Sequence, residues 1–147
     1  MKNLRKFFLL NRRDRRLLLT SIRCLWAARL GLWLLPFQTV RRLMAKLSPP
    51  KPISSKETSP DVERIAWAVA VASRYVPAAT CLTQALAGQM LLVQYGEPAL
   101  LRIGVAKDET GVLQAHAWVE SRGRVVIGDS EELYRYTPLP SVEGKLL

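Results

Sequence analysis

The chain has 147 residues and a net charge of +10, and its length predicts one domain with an appended arm. Its 49% apolar and 23% charged residues are ordinary proportions for a globular protein and exclude wholesale disorder. A single histidine and two cysteines exclude a His-rich metal site and a disulfide framework, so we expect neither a metal nor a cofactor.

The positive charge is confined to the N-terminal part of the chain. Residues 1–60 hold 14 Lys/Arg and 2 Asp/Glu, whereas residues 61–147 carry a net charge of −2. Such asymmetry points to an acidic partner, a membrane surface or a polyanion as the binding partner of this arm.

Two helices are predicted within the arm. Asp14 is the predicted N-cap of a helix over residues 15–35, which Pro36 ends, and a shorter helix follows over 39–47. Residues 1–47 should therefore form a basic amphipathic helical arm. Its arginines are explained most simply as the solvated face of a packing helix. A membrane-surface helix and a docking surface for another protein are the alternatives.

Neither a secretory signal nor a transmembrane span is predicted. The apolar run at residues 7–10 covers only four positions, too few for a signal sequence. The later stretch "LWAARLGLWLLPF" is interrupted by arginine and falls short of the ~20 residues that a span needs. We expect a cytoplasmic protein with reduced cysteines.

A Pro/Ser-rich segment divides the arm from the rest. Residues 48–59 are predicted to be a linker, and residues 60–147 the catalytic core. Ser59 followed by Pro60 is typical of a helix start, and this helix should reach about Tyr75.

Another helix and a sheet complete the predicted core. The helix starts after Thr80 and ends at Gly96, and strands are expected over 98–106, 112–120 and 125–128. Helices followed by an antiparallel sheet predict the α+β fold class.

Cys81 lies in the first turn of this second core helix, with Thr80 as its predicted N-cap. Unpaired backbone N–H groups and the helix dipole favour an anion there, and the thiolate is the nucleophilic form of cysteine. The same N–H groups suit a tetrahedral oxyanion. Taken alone, a small buried hydrophobe is the simpler interpretation, and we keep it for Cys24 in the arm.

The chain's single histidine is the group that makes Cys81 more interesting. Period-two alternation places His116 and Trp118 on the more polar face of their strand. A neutral imidazole is what a cysteine nucleophile needs for proton transfer, although a lone strand histidine is more often structural. We predict that Trp118, Thr80 and Gln84 line a substrate cleft.

Asp129 follows the third predicted strand and is the candidate for orienting His116. Its carboxylate would accept the second ring N–H and fix the tautomer, but a turn former or an N-cap explains the local sequence equally well. Asp108, in a turn, and Glu120, on the histidine strand itself, are weaker candidates. A helix-terminal cysteine, a strand histidine and a next-strand aspartate are typical of papain- and transglutaminase-like cores.

Two segments, "CLTQALAGQMLLVQYGEPALLRIGVAK" and "AHAWVESRGRVVIGD", resemble the lasso peptide biosynthesis B2 proteins, which are transglutaminase-like leader peptidases. The matching features are Cys-Leu opening a helix, Leu-Arg-Ile-Gly-Val in a strand, and Ala-His-Ala-Trp-Val-Glu. The resemblance covers about residues 60–140, and "LLPFQTVRRLMAKL" in the arm is also similar to that family.

The resemblance implies a cysteine protease that removes the leader from a ribosomally made lasso precursor peptide. It implies that Cys81 is the nucleophile, His116 the general base and acid, and Asp129 its orienting partner, with Ser130, Glu131 and Glu132 crowding the last position. It also implies a PqqD-like protein that presents the leader and an ATP-dependent cyclase that closes the ring. The arm lacks the strand pattern of the presenting domain, so that domain is expected in trans.

Two other functions stay open from the sequence. One keeps the fold and transfers the acyl group to an amine, as a transglutaminase does. The other is a non-catalytic basic protein that binds an acidic partner, a membrane or a nucleic acid. No recognised nucleic-acid motif accompanies the basic residues, so nucleic acid is not expected.

Overall fold

The computed structural model describes residues 2–47, 60–139 and 144–145. The helices are α1 Lys2–Leu9, α2 Arg12–Leu34, α3 Phe37–Leu47, α4 Val62–Ser73 and α5 Cys81–Gln94. The strands are β1 Leu100–Lys107, β2 Leu113–Ser121, β3 Arg124–Ile127, β4 Thr137–Pro138 and β5 Gly144–Lys145, with a 3-10 turn at Leu133–Arg135 before β4.

The long helix α2 begins three residues before its predicted start. Asn11 is its N-cap, with a side-chain oxygen 3.4 Å from the backbone N of Arg13, so the prediction of Asp14 as the cap is wrong. Asp14 instead accepts a hydrogen bond from Arg64 of α4, whose Nε lies 2.9 Å away. This hydrogen bond lowers the pKa of the Asp14 carboxyl group. Asp14 therefore makes a long-range ion pair, and Asn11 caps the helix.

One face of α2 lies in the hydrophobic core. Leu25 and Ala28 are completely buried, in the same cluster as residues of α4 and α5. The predicted linker at 48–59 lies outside the described residues, so the division into domains stays a prediction. The helix α2 nevertheless packs on the helices of the predicted catalytic core.

The length argument against a membrane span is wrong for α2. The helix has 23 residues and is apolar enough, by length and composition, to cross a membrane. Of its most apolar window, 33% is buried inside the protein.

Both core helices have caps that their sequences explain. Asp61 starts α4 by accepting the N–H of Arg64 at 2.7 Å, whereas the predicted cap Ser59 lies outside the described residues. Helix α4 ends at Ser73, two residues before the predicted end. Helix α5 ends as predicted, because Gly96 takes the left-handed backbone conformation that closes a helix with φ +81°.

The sheet confirms the predicted antiparallel arrangement. Its strand order is β3-β2-β1-β4, and β5 also pairs with β1. Ala117 and Val119 of β2 and Ile127 of β3 belong to the core on which α5 packs. Gly88 of α5 lies so close to Ile127 that a Cβ atom would overlap its side chain. The helix therefore sits tightly on this face of the sheet.

Candidate functional site

Cys81 is the first residue of α5, as predicted. Thr80 is the N-cap, and its hydroxyl oxygen accepts the backbone N–H of Thr83 at 3.3 Å. The thiol of Cys81 is free and half-buried. Helix geometry leaves the N–H groups of Cys81 and Leu82 without intrahelical acceptors, so two donors remain in the helix turn that carries the thiol.

The turn before Cys81 is held in an unusual backbone conformation. Ala78 has φ +55°, a region that costs about 1 kcal/mol or more for a residue with a Cβ. The side-chain amide of Gln84 donates to the carbonyl oxygen of Ala79 at 3.1 Å and braces the turn. Gln84 thus fixes the path of the chain into α5. The assignment of Gln84 and Thr80 to the substrate cleft stays a prediction.

His116 of β2 is oriented by a backbone carbonyl group. Its Nε2 lies 2.7 Å from the carbonyl oxygen of Gly128, just beyond β3. A carbonyl oxygen only accepts hydrogen bonds, so Nε2 carries a proton, and in the neutral ring Nδ1 then keeps its lone pair. This is the tautomer in which Nδ1 is available to take a proton.

Only glycine fits at position 128. Its φ is +80°, and a Cβ atom there would lie 2.7 Å from the carbonyl oxygen of Ala117 and 3.1 Å from the Cα of Trp118. The close approach of this turn to β2 carries the Gly128 carbonyl to the imidazole. The sequence analysis did not identify the Gly128 carbonyl, because a backbone oxygen leaves no side-chain pattern. The Gly-Asp pair at the end of the third strand was the one sequence feature that pointed to a tight turn there.

Asp129 is exposed and does not hold the His116 ring in this structure. Within the described residues, its carboxylate takes part in no hydrogen bond or ion pair, and the ring's hydrogen bond goes to Gly128. Its predicted orienting role stays a prediction. The alternative role of N-cap belongs to Glu132, which precedes the 3-10 turn.

Aromatic rings enclose the imidazole on its own face of the sheet. Trp118 stacks beside His116 with ring centroids 6.2 Å apart, and the Tyr136 ring lies 5.4 Å away. Trp118 is only 3% exposed, so its ring packs over Gly104 and offers almost no open surface. Its assignment to the substrate cleft stays a prediction, while Tyr136 is a flanking residue that the sequence did not single out.

The two weaker carboxylates serve local structure. Glu120 accepts the indole N–H of Trp118 at 3.1 Å and pairs with Arg102 at 2.9 Å. Asp108 accepts the hydroxyl and backbone N–H of Thr110, and the Thr110 hydroxyl is the main cause of its lowered pKa. Both carboxylates are thus engaged by groups other than His116.

Cys81 and His116 are on elements that pack together, but they are not in hydrogen-bond contact. Among the described residues, no hydrogen bond joins the thiol to the imidazole. His116 shares the face of Trp118, opposite the Ala117 and Val119 face that α5 covers. Hydrogen bonds between nucleophile and base are often loose in enzymes without substrate. The pairing of Cys81 with His116 stays a prediction.

A family comparison bears on this arrangement. Residues 22–141, most of the chain, match the family model described as the transglutaminase-like superfamily. The chain belongs to the transglutaminase-like superfamily. No curated protein and no solved structure shows significant similarity to it.

The matched region includes part of the predicted N-terminal arm. It begins within α2, so much of the helix predicted as an appended arm falls inside the transglutaminase-like match. Cysteine proteases and acyl transferases both occur in this superfamily. The expected fold is thereby confirmed.

Proposed function

We propose that this protein is a cysteine peptidase that removes the leader from a ribosomally synthesised lasso precursor peptide. The observation that carries the proposal is the pairing of two features in a transglutaminase-like fold. Cys81 opens a capped helix with free N–H donors, and His116 donates from Nε2 to the Gly128 carbonyl, which turns Nδ1 into the acceptor of the neutral ring. The resemblance to the lasso B2 proteins supplies the substrate.

The first half of the proposed reaction forms an acyl-enzyme. The proposal requires the imidazole to meet the thiol in the substrate complex. There the Cys81 thiol gives its proton to Nδ1 of His116, and the sulfur attacks the carbonyl carbon at the leader–core junction. The N–H groups of Cys81 and Leu82 stabilise the resulting oxyanion. As the C–N bond breaks, His116 returns the proton to the leaving amine. The core peptide departs with a free amino group, and the leader remains as a thioester on Cys81.

Water completes the cycle. His116 takes a proton from water, the hydroxide adds to the thioester carbonyl, and the C–S bond breaks. The leader leaves with a new carboxylate and Cys81 is regenerated. No cofactor takes part in these steps. Throughout, the Gly128 carbonyl accepts the Nε2–H of His116 and stabilises the transient imidazolium, the role that a carboxylate has in related triads.

The proposal includes two partners. A PqqD-like protein would present the leader in trans, since the described helices of the arm offer no strands for a fused presenting domain. An ATP-dependent cyclase would consume the freed amine. The basic N-terminal part gives such acidic partners a complementary charge.

The decisive experiment mixes the full chain with a leader-bearing lasso precursor and its recognition protein. We expect mass spectrometry to show free leader and core peptides. Cys81→Ala should abolish cleavage, and Cys24→Ala is the matched control that should retain it. Cleavage that persists in Cys81→Ala contradicts the proposal. An amine-linked leader in place of the free leader acid would instead identify the acyl transferase.

The requirement for the presenting partner has its own test. Omitting the recognition protein should slow cleavage strongly at low precursor concentration. Equal rates with and without it would contradict the trans arrangement but leave the catalytic proposal intact.

A further inference from the structure

The helix α2 has two apolar faces, and only one of them is in the core. Leu25 and Ala28 are completely buried against the rest of the protein. On the opposite side, large apolar residues are open to solvent: Leu19 is 50% exposed, Trp26 41%, Leu30 47% and Trp33 73%. Their spacing of seven, four and three residues places them in one line along the helix.

Arginines continue this line toward the start of the helix. Arg12, Arg16 and Arg23 are exposed and fall on the same side of α2 as Leu19 by helical spacing. The helix contains one acidic residue, Asp14, and its charge is engaged by Arg64 of α4. We call this strip the α2 outer face: the arginines Arg12, Arg16 and Arg23 with the apolar residues Leu19, Trp26, Leu30 and Trp33.

The apolar end of the α2 outer face lies next to the turn that precedes Cys81. Trp26, Leu30 and Trp33 line a shallow crevice of about 260 Å³ together with Arg29 and Pro77. The Nε of Arg29 donates to the carbonyl oxygen of Pro77 at 3.4 Å. Pro77 lies in the turn that leads into Thr80 and Cys81. One wall of the crevice is therefore formed by the loop that precedes the candidate nucleophile.

The composition of the strip favours a lipid surface over other occupants. Tryptophan and arginine are the residues that sit at the boundary between acyl chains and anionic headgroups, where the indole is half wet and the guanidinium meets phosphate. A net charge of +12 over residues 1–60 adds long-range attraction to an anionic surface. The buried opposite face keeps α2 attached to the protein, so the helix would lie on a membrane and not cross it.

We propose that the α2 outer face binds the surface of membranes containing anionic lipids, as a peripheral contact. Trp26 and Trp33 enter the headgroup region and the arginines bind lipid phosphates. This contact is independent of the proposed peptidase reaction, because it uses none of the residues assigned to the site. It would hold the leader peptidase at the membrane with the turn before Cys81 next to the lipid surface.

The test uses the full chain and vesicles of known composition. One set contains phosphatidylcholine alone and the other equal amounts of phosphatidylcholine and phosphatidylglycerol. We expect cosedimentation with the phosphatidylglycerol vesicles, at least tenfold weaker binding to phosphatidylcholine, and release by high salt. Tryptophan emission should shift to shorter wavelength on binding, since Trp26 and Trp33 are exposed before it.

Variants separate the apolar and charged parts of the strip. Trp26→Ser with Trp33→Ser should weaken binding by roughly 100-fold through lost apolar burial. Arg12→Gln with Arg16→Gln and Arg23→Gln should weaken it by a similar factor, through lost attraction of about 1 kcal/mol for each charge. Tyr134→Ser, at an 85% exposed aromatic residue far along the chain, is the matched control and should leave binding unchanged.

Several outcomes would overturn the proposal. Equal binding to both vesicle types, no binding to either, or full binding by both variant sets contradicts it. Self-association of the wild type that the tryptophan variant loses, without lipid binding, would assign the strip to a second copy. Retention after alkaline carbonate extraction would mean that α2 inserts across the bilayer. If the tryptophan variant fails to fold, the binding of the arginine variant tests the proposal, because its three substituted side chains are exposed and their replacement leaves the core packing intact.

Discussion

Cys24 and Cys81 occupy two apolar helices that pack against each other, yet the two thiols differ in burial and in position along the helix. Cys24 is in the middle of α2 and only 6% exposed, and burial raises its pKa to about 11. Cys81 is half-buried at the first position of α5, next to free N–H donors and a capping threonine. The same side chain is core filler in one helix and a candidate nucleophile in the other, because position along the helix decides its environment.

The largest effect should come from removing the Cys81 thiol. Cys81→Ala is expected to lower single-turnover cleavage of the precursor by ~10³-fold or more, since no other described group supplies a nucleophile to this site. Cys24→Ala is expected to keep the rate within a few-fold and to lower only the free energy of unfolding, by about 1–2 kcal/mol. Similar losses of cleavage in both variants would break the distinction between the two cysteines.

Alkylation should distinguish the same two thiols without any substrate. At neutral pH we expect iodoacetamide to modify Cys81 at least ~100-fold faster than Cys24, because Cys24 is buried and its raised pKa leaves almost no thiolate. Peptide mapping at successive times gives both rates. Equal labelling in the folded protein would contradict the buried position of Cys24.

A smaller effect tests the support of His116. Gly128→Ala is expected to lower kcat by about 10–100-fold, because the added Cβ pushes against the Ala117 carbonyl and moves the group that fixes the imidazole. It should also cost about 2 kcal/mol of stability through its positive φ.

Gly111→Ala is the matched control for this change. Gly111 has a similar φ of +83°, but a Cβ added there would have no atom within 4 Å, so only the backbone strain is shared. Its kcat should be unchanged. An equal loss of kcat in both variants would show that strain, and not the Gly128 carbonyl, explains the effect.

Replacing the exposed carboxylate should matter less. Asp129→Asn is expected to lower kcat by less than about tenfold, because His116 already donates to Gly128. Glu131→Gln, a neighbouring exposed carboxylate, is the control. A loss of ~10³-fold on Asp129→Asn, without one in the control, would restore Asp129 as the orienting residue in the substrate complex.

The smallest effect concerns the attachment of α2, the helix of Cys24. Arg64 holds the pKa of Asp14 below its unfolded value of about 3.8, so the pair stabilises the fold above that pH. The contribution is lost as pH falls through the lower folded-state value. Asp14→Asn should lower the free energy of unfolding by about 0.5 kcal/mol at pH 7, and this difference should shrink as the pH falls below 3.8 toward 2. A constant difference across this range, measured by urea unfolding, would contradict the ion pair.

Features that depend on neighbouring residues could be predicted from the sequence, and features that depend on residues distant in the chain could not. Thr80 as a cap and Gly96 as a helix end depend on neighbouring residues, and the structure confirms both. The predicted alternation of β2 is matched only in part, because Trp118 is buried along with Ala117 and Val119. Asp14 was misassigned because its partner Arg64 is fifty residues away.

The orientation of His116 illustrates the second limit. Every residue has a backbone carbonyl group, so no side-chain motif in the sequence distinguishes the one at Gly128. Only the register of β2 against β3, with its bulge between Val119 and Glu120, brings that oxygen to the imidazole. The prediction chose Asp129 for its carboxylate side chain, whereas the backbone carbonyl of the neighbouring Gly128 contacts His116.

The most direct test of the central claim is to trap the acyl-enzyme. The full chain, a lasso precursor and its recognition protein are mixed, quenched in acid within one turnover, and analysed by intact mass and peptide mapping. The proposed mechanism predicts a transient adduct with the mass of the leader less one water, attached to Cys81 as a hydroxylamine-sensitive thioester and absent in Cys81→Ala. Cleavage with an adduct on Cys24, or cleavage that continues in Cys81→Ala, would contradict it.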